Sequence, residues 1–166
     1  MIKESKNIIS REICKKDLVH LAKADLLSDL VLFAVGLLIF VPLAFMGIYL
    51  LKYSLILGIV TIFVCATPPL FFVYKLIYNV IRLRLVKQNK FSIVKDTVSR
   101  LSKGEIEGRH TVDAIYFTFN GRYVPTKTVF DLSSEGDEFY LVILHTRKNE
   151  LCFAFHTTMY ECKDML

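Results

Sequence analysis

The chain has 166 residues, 21 Lys+Arg against 16 Asp+Glu, and 54% apolar side chains, too apolar for an ordinary soluble domain of this size. Two stretches carry no charge at all: 22 residues from Leu30 to Leu51 and 21 from Ser54 to Tyr74. They exclude a free cytosolic enzyme, a secreted disulfide scaffold and a disordered tail, and leave about 75 residues for one small core.

Ahead of the first stretch, Cys14, Leu18, Leu21 and Ala22 recur at helical spacing while Lys15, Lys16 and Lys23 point largely elsewhere. This predicts a short amphipathic helix that either lies on the inner leaflet or packs on the protein's own cytosolic part. His20 within it is read as solvated or capping. The apolar run that follows is too long, and too far behind a mixed-charge leader, for a cleaved signal peptide.

At about 1.5 Å per residue each uncharged run covers the roughly 30 Å of a hydrocarbon core. Only Lys52 and Tyr53 join them, so the expected structure is a tight antiparallel transmembrane hairpin. Eleven Lys/Arg flank its open end and one sits at the turn, which places both termini in the cytoplasm of a bacterial-type inner membrane. Pro42, Pro68 and Pro69 predict kinks, Thr61 and Thr67 are expected to bond back to their own helix, and Gly36, Gly47, Gly58, Ala44 and Ala66 allow close helix contact. No ionisable residue lies near the centre of either span, so no proton relay or charged ion path is encoded in one hairpin.

The charge surplus belongs to the membrane flanks: residues 75–90 hold five bases and no acid, whereas the region from Phe91 onward holds nine bases and eleven acids. Anionic lipid, rather than nucleic acid, is the partner this implies, with Lys15, Lys16, Lys75, Arg82, Arg84 and Lys87 as candidate headgroup contacts. The second helix is expected to run on to about Asn89. Cys14, Cys65, Cys152 and Cys162 form no CxxC pair and read as reduced thiols.

From Phe91 the sequence turns to β-branched and aromatic residues with turn signals at Lys103-Gly104, Asn120-Gly121, Pro125, Ser133 to Asp137 and Arg147 to Glu150. Five strands are predicted, near 91–102, 111–119, 122–132 with a break at Pro125, 138–146 and 151–157. Asn120-Gly121 suggests a type I′ hairpin. Five short strands favour a small closed antiparallel barrel, SH3-like or OB-like, because closure removes exposed edges. The organisation expected is therefore residues 1–27 as an interfacial segment, 28–90 as the hairpin and 91–166 as the β domain.

If Lys148-Asn149 centres the last turn, Leu144 faces Phe153, Val142 faces Phe155 and His145 faces Cys152. One face then carries Tyr140, Val142, Leu144, Leu151, Phe153 and Phe155 as the core. The other carries Phe139, Leu141, Ile143 and Ala154, so it must be covered too. In that register His145, Cys152 and His156 are the residues a metal or a reactive thiolate would use, though ordinary packing is the preferred reading. Glu135, Asp137 and Glu138 read as a polar turn. Arg109, His110, Arg122, Tyr123 and Lys127 are the candidate residues for an anionic small ligand. No Walker loop, GxSxG or HExxH is present, and no cofactor is implied.

In layout alone, two helices before a compact cytosolic β domain, the chain resembles the barrel-type membrane effectors of cyclic-oligonucleotide defence systems, which have a longer cytosolic part, and the OB-tailed partners of membrane proteases. The resemblance carries over no functional residue. The function expected is a non-enzymatic membrane adaptor or sensor: the β domain binds a protein partner or anionic ligand, and the hairpin anchors or forms a homo-oligomer. The alternative is an oligomeric pore or membrane-disrupting effector gated by that domain.

Overall fold

The computed structural model describes residues 6–163. The order is β1 (Asn7–Ile9), α1 (Arg11–Leu50), α2 (Leu55–Lys87), β2 (Phe91–Glu107), β3 (His110–Phe117), β4 (Gly121–Tyr123), α3 (Lys127–Asp131), β5 (Glu138–Leu144), β6 (Glu150–His156) and β7 (Tyr160–Cys162). The chain divides into two compact units, Val19–Arg84 and the remainder.

Val19–Arg84 is a helical hairpin, and both of its helices are long and apolar enough to cross a membrane. Its turn is as short as the sequence requires. Tyr53 and Ser54 donate their N–H groups to the Leu50 carbonyl, and the Tyr49 and Tyr53 hydroxyls meet at 2.9 Å. The helices remain continuous through Pro42, Pro68 and Pro69. Thr61 and Thr67 donate to the carbonyls of Leu57 and Phe63, at 2.8 and 2.9 Å, as the sequence predicts. Glycine sets how closely the chain can approach itself: a Cβ on Gly47 would lie 2.9 Å from Ile62, and one on Gly58 would lie 2.5 Å from Leu51.

In the second unit, β2 to β6 form one antiparallel sheet in the order β4-β3-β2-β5-β6, and β1 pairs in parallel with β7 as a separate ribbon. Five antiparallel strands are as expected; the closed barrel is not. β4 is only three residues long because Pro125 has no N–H to continue a ladder, and the chain then turns into α3, where Phe130 N–H bonds to the Thr126 carbonyl. The strand expected over 122–132 is thus a short strand and a helix.

β2 also runs five residues further than expected. Gly104, at φ +68°, makes a bulge rather than a turn, and its N–H is taken by the Asp113 carboxylate at 2.9 Å. The chain reverses instead at Gly108 and Arg109. The Asn120 hairpin forms, but with positive φ at Gly121 and not at Asn120, so it is not type I′. The buried Asp96 carboxylate replaces that geometry: Oδ2 accepts from Phe119 N, Asn120 N and Asn120 Nδ2, at 3.0, 3.1 and 2.7 Å.

Both faces of the sheet are packed. On one, Val98, Ile115, Phe117, Phe139, Leu141 and Ile143 close around Phe130 of α3. On the other, Phe91, Ile93, Val142 and Leu144 are buried, and the Arg11 guanidinium lies 5.4 Å above the Phe91 ring. Cys14 and Leu18 are buried by protein, and this segment is the first part of α1 rather than a separate helix.

Candidate functional site

The two edge strands, β4 and β6, do not pair, and this open seam is the most distinctive feature of the sheet unit. Tyr123 of β4 packs on the core, and its hydroxyl reaches the backbone of Ala154 on β6. Burial pushes the Tyr123 phenol above its ordinary pKa, so it stays a neutral hydroxyl. This contact lies where a closed barrel would have a ladder.

Beside the seam is a hollow of about 280 Å³, lined by Val129 of α3, by Leu132 just after it, and by Ala154, Phe155, Met159 and Tyr160. Leu132 and Met159 are exposed there. The Tyr160 ring packs 5.1 Å from Phe155 and forms part of the wall. At the rim, Thr158 N–H donates to His156 Nδ1 at 3.2 Å, so His156 Nε2 carries the proton it shares with Asp137 Oδ2 at 3.1 Å. Ser134 N–H binds the same carboxylate oxygen at 2.7 Å. These two donors, the backbone one foremost, hold the Asp137 carboxyl below its ordinary pKa. The arrangement offers an apolar socket and polar edge groups, among them the Thr158 hydroxyl, whose oxygen lies 2.7 Å from His156 Nδ1.

The three residues of the last hairpin that a metal would use, His145, Cys152 and His156, are not set side by side, in keeping with ordinary packing as the preferred reading. Asn149 takes the left-handed conformation as the last residue of its turn, at φ 49°, so the turn centres earlier. Val142 therefore faces Phe153 and Tyr140 faces Phe155, and a bulge then sets Ile143 opposite Leu151. Cys152 is the residue skipped at that bulge. His145 lies beyond the end of β5, and His156 faces Phe139 with ring centroids 4.7 Å apart. Among the described residues no group of His, Cys, Asp and Glu could hold a metal ion. Leu151 also changes sides, joining the core around Ile143.

The five candidate anion-binding residues are not gathered into one cradle. Arg122 is committed to Glu105 and Glu107, both at 3.1 Å, and Tyr123 points to the opposite face, into the core. Arg109 and His110 are exposed at the β2–β3 tip, and Lys127 opens α3.

Among the candidate headgroup contacts, Lys16, Arg84 and Lys87 are exposed and Lys15 is half-buried. Arg82 instead turns inward to Asp25 at 2.7 Å, and Lys75 stands 4.0 Å from Asp29. Asn79, 6% exposed, donates to Asp29 at 2.7 Å and completes a polar cluster that sequence reasoning missed. A signal was available: Lys75, Asn79 and Arg82 share one helical face, as do Asp25 and Asp29, and Asp29 and Lys75 are equally distant in sequence from Lys52.

No family model matches the chain, and no curated protein or solved structure is significantly similar to it.

Proposed function

We propose that this chain is a membrane-anchored binding protein: the hairpin spans a bilayer with both chain ends on the cytoplasmic side, and the sheet unit takes an extended segment of a partner protein at its open seam. The observation that carries this reading is the β6 edge, paired on one side only among the described residues and adjoining an apolar hollow. Backbone groups on a strand edge are best satisfied by another extended backbone, and a neighbouring pocket then selects one apolar side chain. The hairpin favours an anchor over a pore, because its exposed residues from Leu30 to Tyr74 are overwhelmingly apolar and the two threonines are bonded back to their own helix.

The test is a selection of random linear peptides on the full chain held in lipid nanodiscs. Enriched peptides should share an apolar anchor and lose binding to Leu132→Asp and Met159→Asp variants, while Ile106→Asp, on the distant β2–β3 ribbon, leaves binding unchanged. Peptides that instead depend on Arg109 or Arg122 would overturn the seam as the site.

A further inference from the structure

We infer that the open end of the helical hairpin holds the headgroup of a lipid bearing a primary ammonium, the chemistry of phosphatidylethanolamine. The inference rests on the hairpin being embedded in a bilayer. A pocket of about 300 Å³ lies there, lined by Asp25, Ser28, Asp29, Lys75, Tyr78 and Asn79. That volume is at the lower end for small-molecule sites, about 300–1,000 Å³.

Depth is the first argument. The charge-free stretches begin directly after Asp29 and end directly before Lys75, so the pocket lies where hydrocarbon gives way to headgroups. Ordinary interfacial bases there would reach outward to phosphate; here charges of both signs line one concavity.

Chemistry is the second. Asp29 is held in place because Oδ2 accepts from Asn79 Nδ2 at 2.7 Å, while Oδ1 faces Lys75 Nζ across 4.0 Å, too long for a hydrogen bond. Asp25 is similarly fixed through Oδ2 by Arg82. Each carboxylate keeps acceptor capacity, and Lys75, its side chain 46% exposed, keeps donors. A zwitterion satisfies both signs: its ammonium donates to the aspartates, and its phosphate accepts from Lys75 and the Ser28 hydroxyl. A choline headgroup has no N–H to donate and would require an aromatic cage, to which the lining contributes only Tyr78. A phosphatidylglycerol headgroup brings negative charge to two carboxylates with no cation of its own.

The experiment is native mass spectrometry of the full chain released from nanodiscs made of equal parts phosphatidylethanolamine, phosphatidylcholine and phosphatidylglycerol. Retained lipid should be enriched several-fold in phosphatidylethanolamine over the bulk, and Asp29→Asn should abolish the enrichment. Because Asp29 also holds Asn79, Ser28→Leu provides a second route, filling the pocket without touching the charges, and should do the same. Retention that mirrors the bulk, or enrichment of phosphatidylglycerol, overturns the inference. Displacement of the bound lipid by millimolar free phosphoethanolamine would reassign the pocket to a soluble ligand. A chain that stays dissolved without detergent would instead overturn the membrane reading on which the inference rests.

Discussion

Arg82 donates to Asp25 across the hairpin at 2.7 Å, and the same guanidinium nitrogen lies 3.4 Å from the Asn79 side-chain oxygen. With Asn79 donating to Asp29, a continuous polar chain ties α1 to α2 at the open end of the hairpin. Arg82 is 8% exposed, so its charge depends on these acceptors. Arg82→Ala should cost roughly 2 kcal/mol, and Asp25→Ala less because that side chain is partly solvated. Thermal unfolding of the two variants and their double mutant in detergent should show a positive coupling energy; strict additivity would mean that the pair contributes nothing beyond its separate parts.

The opposite end of the hairpin is held by shape. A methyl group on Gly58 would meet the Leu51 backbone nitrogen at 2.8 Å as well as its side chain, and the backbone cannot move aside while the three-residue turn persists. Gly36 differs, with its nearest neighbour, the Phe72 ring, at 3.5 Å. Gly58→Ala should therefore destabilise the hairpin by about 1–3 kcal/mol, whereas Gly36→Ala is neutral or slightly stabilising through its better helix propensity. Midpoints of denaturation in mixed detergent compare the two directly.

The two long apolar helices, their short turn and the apolar character of both faces of β5 were legible in the sequence because each follows from a periodicity or a run length that few arrangements satisfy. What could not be read was governed by single side chains acting at a distance in sequence. Asp96 sets the Asn120 turn from 24 residues away. Asn149 moves the last turn and with it the register, separating His145 from Cys152. Pro125 was noted as a break, yet nothing local said that the chain would leave the sheet for α3. The pairing of β1 with β7 joins the two ends of the described chain, which no pattern in either segment indicates.

The Asp137 carboxyl gives a pH dependence whose sign follows from its depressed pKa. The unfolded chain takes up its proton near the ordinary aspartate value, about 3.9, and the folded chain only below that. The contribution is thus complete above about pH 5 and is lost as pH falls through the folded-state value. Asp137→Asn should remove this part of the acid sensitivity while leaving the unfolding midpoint near pH 7 lower by a constant amount. Unfolding midpoints measured at half-unit steps between pH 3 and about pH 7 check it. An unchanged slope in the variant would assign the acid response to other carboxylates.

Asp96 should be the most sensitive single position in the β2–β3–β4 ribbon. Its carboxylate is buried and takes two backbone N–H groups and one side-chain amide through a single oxygen, while Oδ1 accepts from Thr97 N at 2.8 Å. Asp96→Ala removes the acceptor for all four donors and should cost on the order of 3 kcal/mol, since each buried donor left unmade costs about 1–3 kcal/mol. Asp96→Asn keeps the shape and two lone pairs and should cost clearly less. Hydrogen exchange at Phe119 and Asn120 in the full chain separates this local effect from general unfolding: accelerated exchange confined to the turn supports the cradle, and equal acceleration throughout the sheet contradicts it.

Orientation is the remaining prediction, and the structure refines where to place the probes. In a background with Cys14, Cys65, Cys152 and Cys162 replaced, a cysteine at Lys52 reports the hairpin turn. The natural reporter for the sheet unit would be Asn120, but its side chain donates to Asp96 at 2.7 Å, so substitution there would disturb the turn it is meant to report. Phe119 is 86% exposed and contributes only its backbone N–H to Asp96, which Phe119→Cys preserves. With eleven basic residues flanking the open end of the hairpin and one at its turn, a membrane-impermeant maleimide added outside intact cells should label position 52 and spare position 119. Permeabilised cells should label both. Labelling of 119 but not 52 from outside would invert the topology and place the open seam beyond the reach of any cytoplasmic partner.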